Sequence, residues 1–151
     1  MVDAFGMRVH SLIGGVMPVL PKINSFLLCD YIIQEHRTGK KSLIGIFHNI
    51  VAGQFPFAHP SLFIYANLSD AEGEYNFEIR LIDLENQSVI GQGKIPRIEI
   101  GDRLKPVEIA MNIRQLVFPR PGKYEFELLA NDELVECRDL WVSKPVASPG
   151  K

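Results

Sequence analysis

Strict alternation of apolar and polar side chains recurs along this chain, and it restricts the fold more than any other feature. Between Glu74 and Leu84, the residues Tyr75, Phe77, Ile79 and Leu81 fall on one side, and Glu74, Asn76, Glu78 and Arg80 on the other. Tyr124, Phe126 and Leu128 alternate with Lys123, Glu125 and Glu127. Val107, Ile109, Met111 and Ile113 alternate with Glu108, Ala110 and Asn112. A period of two belongs to a strand with one dry and one wet face, and such strands build antiparallel sheets. The Val107–Val117 stretch is short enough for a helix, but its alternation and the preceding Pro106 favour a strand.

Three earlier runs are apolar on both sides: F-L-L-C-D-Y-I-I from Phe26, S-L-I-G-I-F-H-N-I from Ser42 and S-L-F-I-Y-A-N-L from Ser61. Such runs sit in the middle of a fold, or carry a face covered by a loop or a partner. Turn chemistry separates the runs: Thr38-Gly39, Asp70 to Gly73, Glu85-Asn86-Gln87, Gly101-Asp102, Pro119 with Pro121-Gly122, and Asn131-Asp132. Asn, Asp and Gly tolerate the left-handed backbone of tight turns. About eight strands are predicted, over residues 25–34, 42–51, 61–69, 74–84, 88–98, 106–114, 123–131 and 134–143. Their regular spacing predicts an all-β fold, an antiparallel immunoglobulin-like β-sandwich. The run Pro121 to Leu134 looks like the Pro-Gly-x-Tyr entry to a late hairpin of such sandwiches. Its Tyr124 ring is expected inside, with the hydroxyl on a nearby backbone group.

The length of 151 residues suits one domain. A net charge of −2, with acids and bases interspersed, leaves no basic footprint for nucleic acid and no polybasic membrane patch. No apolar run approaches the roughly 20 residues of a membrane helix. Ser11 to Leu20 is apolar and follows Arg8, as in a secretion signal. However, Asp3, internal Gly and Pro, and the lack of an A-x-A site argue against that reading. Residues 1–20 are expected to be a poorly ordered extension, with Met17 as an alternative start. Residues 21–144 are expected to form the sandwich and 145–151 a flexible tail. Cys29 and Cys137 carry no C-x-x-C or zinc spacing. They read as two buried thiols, with a disulfide as the alternative should the first and last strands be neighbours. A cytoplasmic location is expected.

Four segments occur together in order: F-L-L-C-D-Y-I at 26–32, L-I-G-I-F-H-N-I at 43–50, F-P-F-A-H-P at 55–60 and F-P-R-P-G-K-Y-E-F at 118–126. The combination resembles a bacterial family of small all-β domains of unknown function, over roughly Pro21 to Val142. The resemblance implies a cytoplasmic β-sandwich. It brings no known active site, so no functional residue is carried over. Members of that family begin just before the first strand, so the residues ahead of Met17 are a departure from it.

Candidate chemistry is sparse. Cys29 and His48 fall on adjacent strands as a thiolate–imidazole pair would. Asp30, though, lies on the face opposite Cys29 and Tyr31, so the three make no compact site. His10, His36, His48 and His59 do not converge with carboxylates at a metal-ligand spacing. Asp70 with Glu72, and Asp83 with Glu85, offer two carboxylates per turn, too few for calcium. His36, Arg37, Lys40 and Lys41 crowd one hairpin loop, which reads as a solvated turn. No catalytic residue, metal or cofactor is expected. Phe55, Phe57 and His59, between prolines, are the candidates for a contact patch; the other reading is that they fold back as a cap. The expected function is non-enzymatic protein–protein interaction with an unknown protein partner, with an edge strand open to homo-oligomerisation. The alternative is a small-ligand or carbohydrate-binding module using Phe63, Tyr65 and Trp141.

Overall fold

The computed structural model describes residues 18–147, and among them there is no helix. Nine strands follow in order: β1 (Lys22–Gln34), β2 (Lys41–Phe47), β3 (Asn49–Val51), β4 (Phe57–Ser69), β5 (Gly73–Asp83), β6 (Ser88–Ile100), β7 (Val107–Phe118), β8 (Gly122–Ala130) and β9 (Glu133–Ser143). They form a four-stranded sheet, β2-β1-β4-β7, and a five-stranded sheet, β3-β9-β8-β5-β6.

The alternating runs become strands as expected, and their apolar sides meet. Leu62, Ile64 and Leu68 of β4 and Phe26 of β1 are fully buried, as are Phe126 and Leu128 of β8 on the other sheet. They share one core cluster with Tyr75, Phe77 and Ile79 of β5. Burial of this kind supplies about 1.5–3 kcal/mol for each large side chain. Tyr124 is buried edge-on to Phe118, with ring centroids 5.0 Å apart, and its hydroxyl donates to the Arg120 carbonyl at 2.7 Å. That arrangement, a tyrosine tied back to the turn ahead of its own strand, is the one expected from the Pro-Gly-x-Tyr run.

Two sequence expectations are corrected. The predicted strand over 42–51 is two strands in two different sheets. The chain leaves the four-stranded sheet at Phe47, crosses at His48, whose carbonyl accepts from the Trp141 amide (3.1 Å), and enters the five-stranded sheet at Asn49. Ile50 is buried there. The second correction follows from the first. Because β3 arrives running the same way as β9, the pair is parallel, with Asn49 opposite Trp141 and Val51 opposite Ser143. The sheets are therefore not antiparallel throughout.

Pro56 to Pro60, expected in a loop, belong largely to β4. Phe57 pairs with Phe118 and His59 with Leu116. Pairing of β4 with β1 begins only at Phe63 opposite Cys29. The first part of β4 therefore has a neighbour on one side alone, where a proline's missing N–H is tolerated. Pro60 sits across from Gln115, which takes a left-handed φ of 57°.

Beyond β1, Arg138 Nε of β9 donates to the Phe26 carbonyl at 3.0 Å. At the opposite edges, β6 approaches β7 through glycine. A Cβ at Gly91 would lie 2.6 Å from Leu116 Cδ2, and one at Gly93 2.5 Å from Met111 Sδ. Of the predicted N-terminal extension, Pro18 packs against Gly73, and the Val19 carbonyl accepts from the Tyr75 hydroxyl at 2.6 Å. Residues 1–17, including Met17, and 148–151 lie outside the described residues.

Candidate functional site

The first hairpin is unlike the rest of the fold. β1 pairs with β4 only as far as Cys29, yet β1 and β2 continue together to Gln34 opposite Lys41. This free arm begins where Asp30 faces Gly45. Gly45 has φ 69°, and a methyl group there would overlap the Asp30 carboxylate. Only glycine combines that backbone with that approach.

The arm folds back. Lys41 Nζ lies 2.8 Å from Glu108 Oε1. Glu108 pairs with Asn67, which pairs with Ser25, whereas Lys41 pairs with Gln34. A straight hairpin at about 3.3 Å per residue would separate the two levels by about 30 Å. The contact therefore brings the arm back across the outer face of the four-stranded sheet. Tyr65 on that face donates to Glu108 Oε2 at 2.5 Å, and Asn67 Nδ2 donates to the Tyr65 hydroxyl oxygen at 3.4 Å. The hydrogen bonds from Lys41 and Tyr65 hold the Glu108 carboxyl below its ordinary range. Burial, then the neighbouring Glu108, pushes the Tyr65 phenol up.

One side of the arm is half-buried, at Ile32, Lys41 and Leu43. The other is exposed and apolar: Tyr31 at 64%, Ile33 at 53%, Ile44 at 46% and Ile46 at 57%. Tyr31 sits directly across from Ile44, and Ile46 across from Cys29. These exposures fall on neighbouring cross-strand positions, so they form one continuous row rather than scattered residues. At the tip, His36, Arg37 and Lys40 are exposed. The five-stranded sheet presents the opposite character. Its outer rows hold Glu125 beside Asp139, Glu127 beside Arg80, and Glu78 beside Lys94.

The sequence candidates fall elsewhere. Phe55 and Phe57 are half-buried and packed against the core cluster. His59 lies between Phe57 and Phe47, at ring-centroid distances of 6.0 and 6.2 Å, and its buried Nε2 has no hydrogen-bond partner among the described residues. Burial pushes its pKa below the ordinary imidazole value. Cys29 is buried at the last position where β1 pairs with β4, and its thiol donates to the Tyr31 carbonyl at 3.4 Å. Burial, then Asp30, raises its pKa, the reverse of what an activated thiol requires. Cys29 and Cys137 are both free. Asp83 is buried and gripped by Arg120, at 2.6 and 2.7 Å from Nη2, and Glu85 pairs with the same guanidinium. Asp70 faces Arg103 at 3.8 Å. Phe63 and Tyr65 lie on the outside of the four-stranded sheet, while Trp141 belongs to the five-stranded one, with Lys123 Nζ 5.6 Å from its ring centroid. The three aromatics share no face.

Sequence reading missed Tyr31, Ile33, Ile44 and Ile46 as a set. The signal was present in the two-sided apolar character of the first runs. Among the described residues no helix is long and apolar enough to cross a membrane.

The model of the Family of unknown function (DUF6941) matches residues 24–143 of the chain. A search of the curated proteins finds no match. Among solved structures, the chain is similar to the alkylpurine DNA glycosylase AlkC of Pseudomonas fluorescens bound to DNA containing an abasic site analogue. That likeness has 12% identity and a TM-score of 0.50, covering 83% of this chain and 31% of the glycosylase. A β-glucosidase from Listeria innocua in complex with isofagomine matches at 12% identity and TM-score 0.41, over 82% of this chain and 17% of its own. An immunoglobulin-like protein from Pseudomonas aeruginosa matches at 8% identity and TM-score 0.40, over 82% of this chain and 97% of its own. The chain thus spans less than a third of the glycosylase and less than a fifth of the glucosidase. The glycosylase likeness concerns the fold alone.

Proposed function

This chain belongs to DUF6941, a family of unknown function, and from that premise we propose that it is a non-enzymatic protein–protein interaction module, an immunoglobulin-like β-sandwich working in the bacterial cytoplasm. The observation that carries the reading is the exposed row Tyr31, Ile33, Ile44 and Ile46 on a hairpin arm that extends beyond the β1–β4 pairing. Apolar side chains in one contiguous, solvent-facing row are costly to keep wet, and such rows mark contact surfaces. Large apolar anchors of this type contribute most of the binding energy at protein interfaces. The sandwich reading is supported by the shared core of the two sheets and by the tyrosine tied back to its turn.

The non-enzymatic reading is supported by the state of the reactive groups. Cys29 is buried with a raised pKa, and Asp83 is neutralised by Arg120. Neither nucleic acid nor membrane is proposed as a partner, because the exposed row is uncharged and the net charge is −2.

A photo-crosslinking residue placed at Ile33 in living host cells tests the reading, with the same residue at Glu127 on the charged face as control. A discrete protein adduct at position 33 and none at 127 is expected. Uncrosslinked chain at both positions would remove the interaction reading.

A further inference from the structure

β2 is an edge strand hydrogen-bonded to β1 alone, so side chains near its two ends tie it to the rest of the fold. At one end Lys41 meets Glu108. At the other, Phe47, the last residue of β2 and the partner of Leu28, packs against the core cluster. The exposed Ile44 and Ile46 lie between the two attachments.

The Phe47 attachment is shared with a histidine. The His59 ring stands between Phe47 and Phe57, and its Nε2 is shut away from solvent with no hydrogen-bond partner among the described residues. A neutral imidazole has one nitrogen that only accepts, and an apolar slot tolerates that nitrogen at the cost of a lost hydrogen bond. A proton on Nε2 would instead bury a charge with no acceptor, which costs far more.

We infer that His59 is an acid-sensitive pin: protonation drives its ring out of the slot between Phe47 and Phe57, unseats Phe47 and frees the base of the arm while the core stays folded. The charges around the slot favour that route. β4 itself carries no charged side chain. β2 has only Lys41, held by Glu108 of β7 at the far end of the strand. The other charge on β7, Arg114, is exposed across from Ser61, and His48, next along from Phe47, is exposed as well. β1 has Lys22 at its start and Asp30 at the bend of the arm. Asp30 is the charge that acts on His59, and it favours the protonated ring, although burial outweighs it while the ring stays in the slot. An expelled imidazolium therefore has a destination at the bend, where Asp30 lies against Gly45. The Glu108 carboxyl is held below its ordinary range, so the Lys41 latch outlasts the pin as pH falls. Release begins below about pH 6.5, the ordinary imidazole value, and deepens with further acid. Ile44 and Ile46 then ride on a strand held at one end, so acid alters how the contact row is presented. That last consequence rests on the interaction reading above.

Hydrogen exchange of the full chain, corrected for the intrinsic pH dependence of amide exchange, tests the pin. Protection over residues 40–47 is expected to fall several-fold between pH 7.5 and 5. At pH 5 that exchange is expected to change little in low urea, because a local opening exposes little surface. His59→Phe keeps a ring in the slot with nothing to protonate, and the acid response of residues 40–47 is expected to vanish. Asp30→Asn, an isosteric change at an exposed position, is expected to move the response to lower pH. An acid response that survives in His59→Phe, no response in the parent, or exchange of residues 40–47 as steeply urea-dependent as that of β5 overturns the inference. Acid opening of the arm with no adduct at position 33 supports the pin and removes the interaction reading.

Discussion

Lys41 and Glu108 meet at 2.8 Å although they belong to the two outermost strands of the same four-stranded sheet. The contact exists because the β1–β2 arm turns back at Asp30 and Gly45 and lies across the sheet's outer face. It is a latch on the arm rather than a strut of the core. Exposed or half-exposed ion pairs stabilise a fold by no more than about 1 kcal/mol.

Releasing that latch therefore changes local opening more than global stability. Glu108→Gln is expected to speed amide exchange over residues 31–46 while the melting temperature shifts little. Exchange unchanged in the arm, or a collapse of the whole fold, would show that the pair does not act as a latch.

The Phe57 ring is packed against the core from the first residue of β4. Phe57→Ala is expected to lower stability by about 2 kcal/mol, less than the ~3–5 kcal/mol of a fully buried phenyl ring because this one is half-buried, as measured by denaturant unfolding. A variant as stable as the parent would return this ring to the surface and revive it as a contact residue.

Acid should weaken the fold through His59. Its neutral form is favoured in the folded state, so its folded pKa lies below the unfolded value near 6.5. Folding then carries its full contribution above about pH 6.5, and loses it as pH falls from there through the depressed folded pKa. His59→Phe keeps a ring between Phe47 and Phe57 and has nothing to protonate. The denaturant midpoint of the parent is expected to fall between pH 7.5 and 5, and that of His59→Phe to fall less. Equal acid sensitivity would place its source elsewhere.

Cys29 should be inert in the folded protein. Its thiol is fully buried and its pKa raised, whereas Cys137 is only half-buried. Alkylation followed by mass spectrometry is expected to label Cys137 first, with Cys29 labelled only after unfolding. Rapid labelling of Cys29 would reopen a nucleophilic role for it.

How much of this was legible depends on where a residue's neighbours come from. Tyr124, Phe126 and Leu128 announced their face because each alternates with a charge, and the Pro-Gly turn ahead of them set the tyrosine's hydroxyl. The split of 42–51 was not legible. Leu43 to Phe47 is apolar on both sides and Ile50 follows two residues after the polar His48, and a chain that serves one sheet and then the other needs apolar residues on both sides. Phe57 and His59 were hidden by Pro56 and Pro60. Prolines usually exclude a strand, but not where β4 lacks a neighbour on one side. The arm was illegible for a related reason. Two-sided apolar runs ordinarily mean a central strand, and only the position of Glu108 reveals that β1 and β2 leave the sheet. In the sequence Asp30 is only a polar residue on the face opposite Cys29 and Tyr31, and Gly45 only a small residue in an apolar run. Together they are the bend.

The parallel pairing of β3 with β9 also fixes an order of events during synthesis. Val51 leaves the ribosome early, but the strand that receives it ends at Ser143. At about 5–20 residues per second, the 92 residues between those positions (143 − 51) occupy roughly 5–18 seconds. Throughout that interval β3 has no partner in its own sheet, and Ile50 has no completed core to enter. The nascent chain must wait with its first sheet forming and its second one open, so its greatest exposure to chaperones and to neighbouring chains comes before the last hairpin is made.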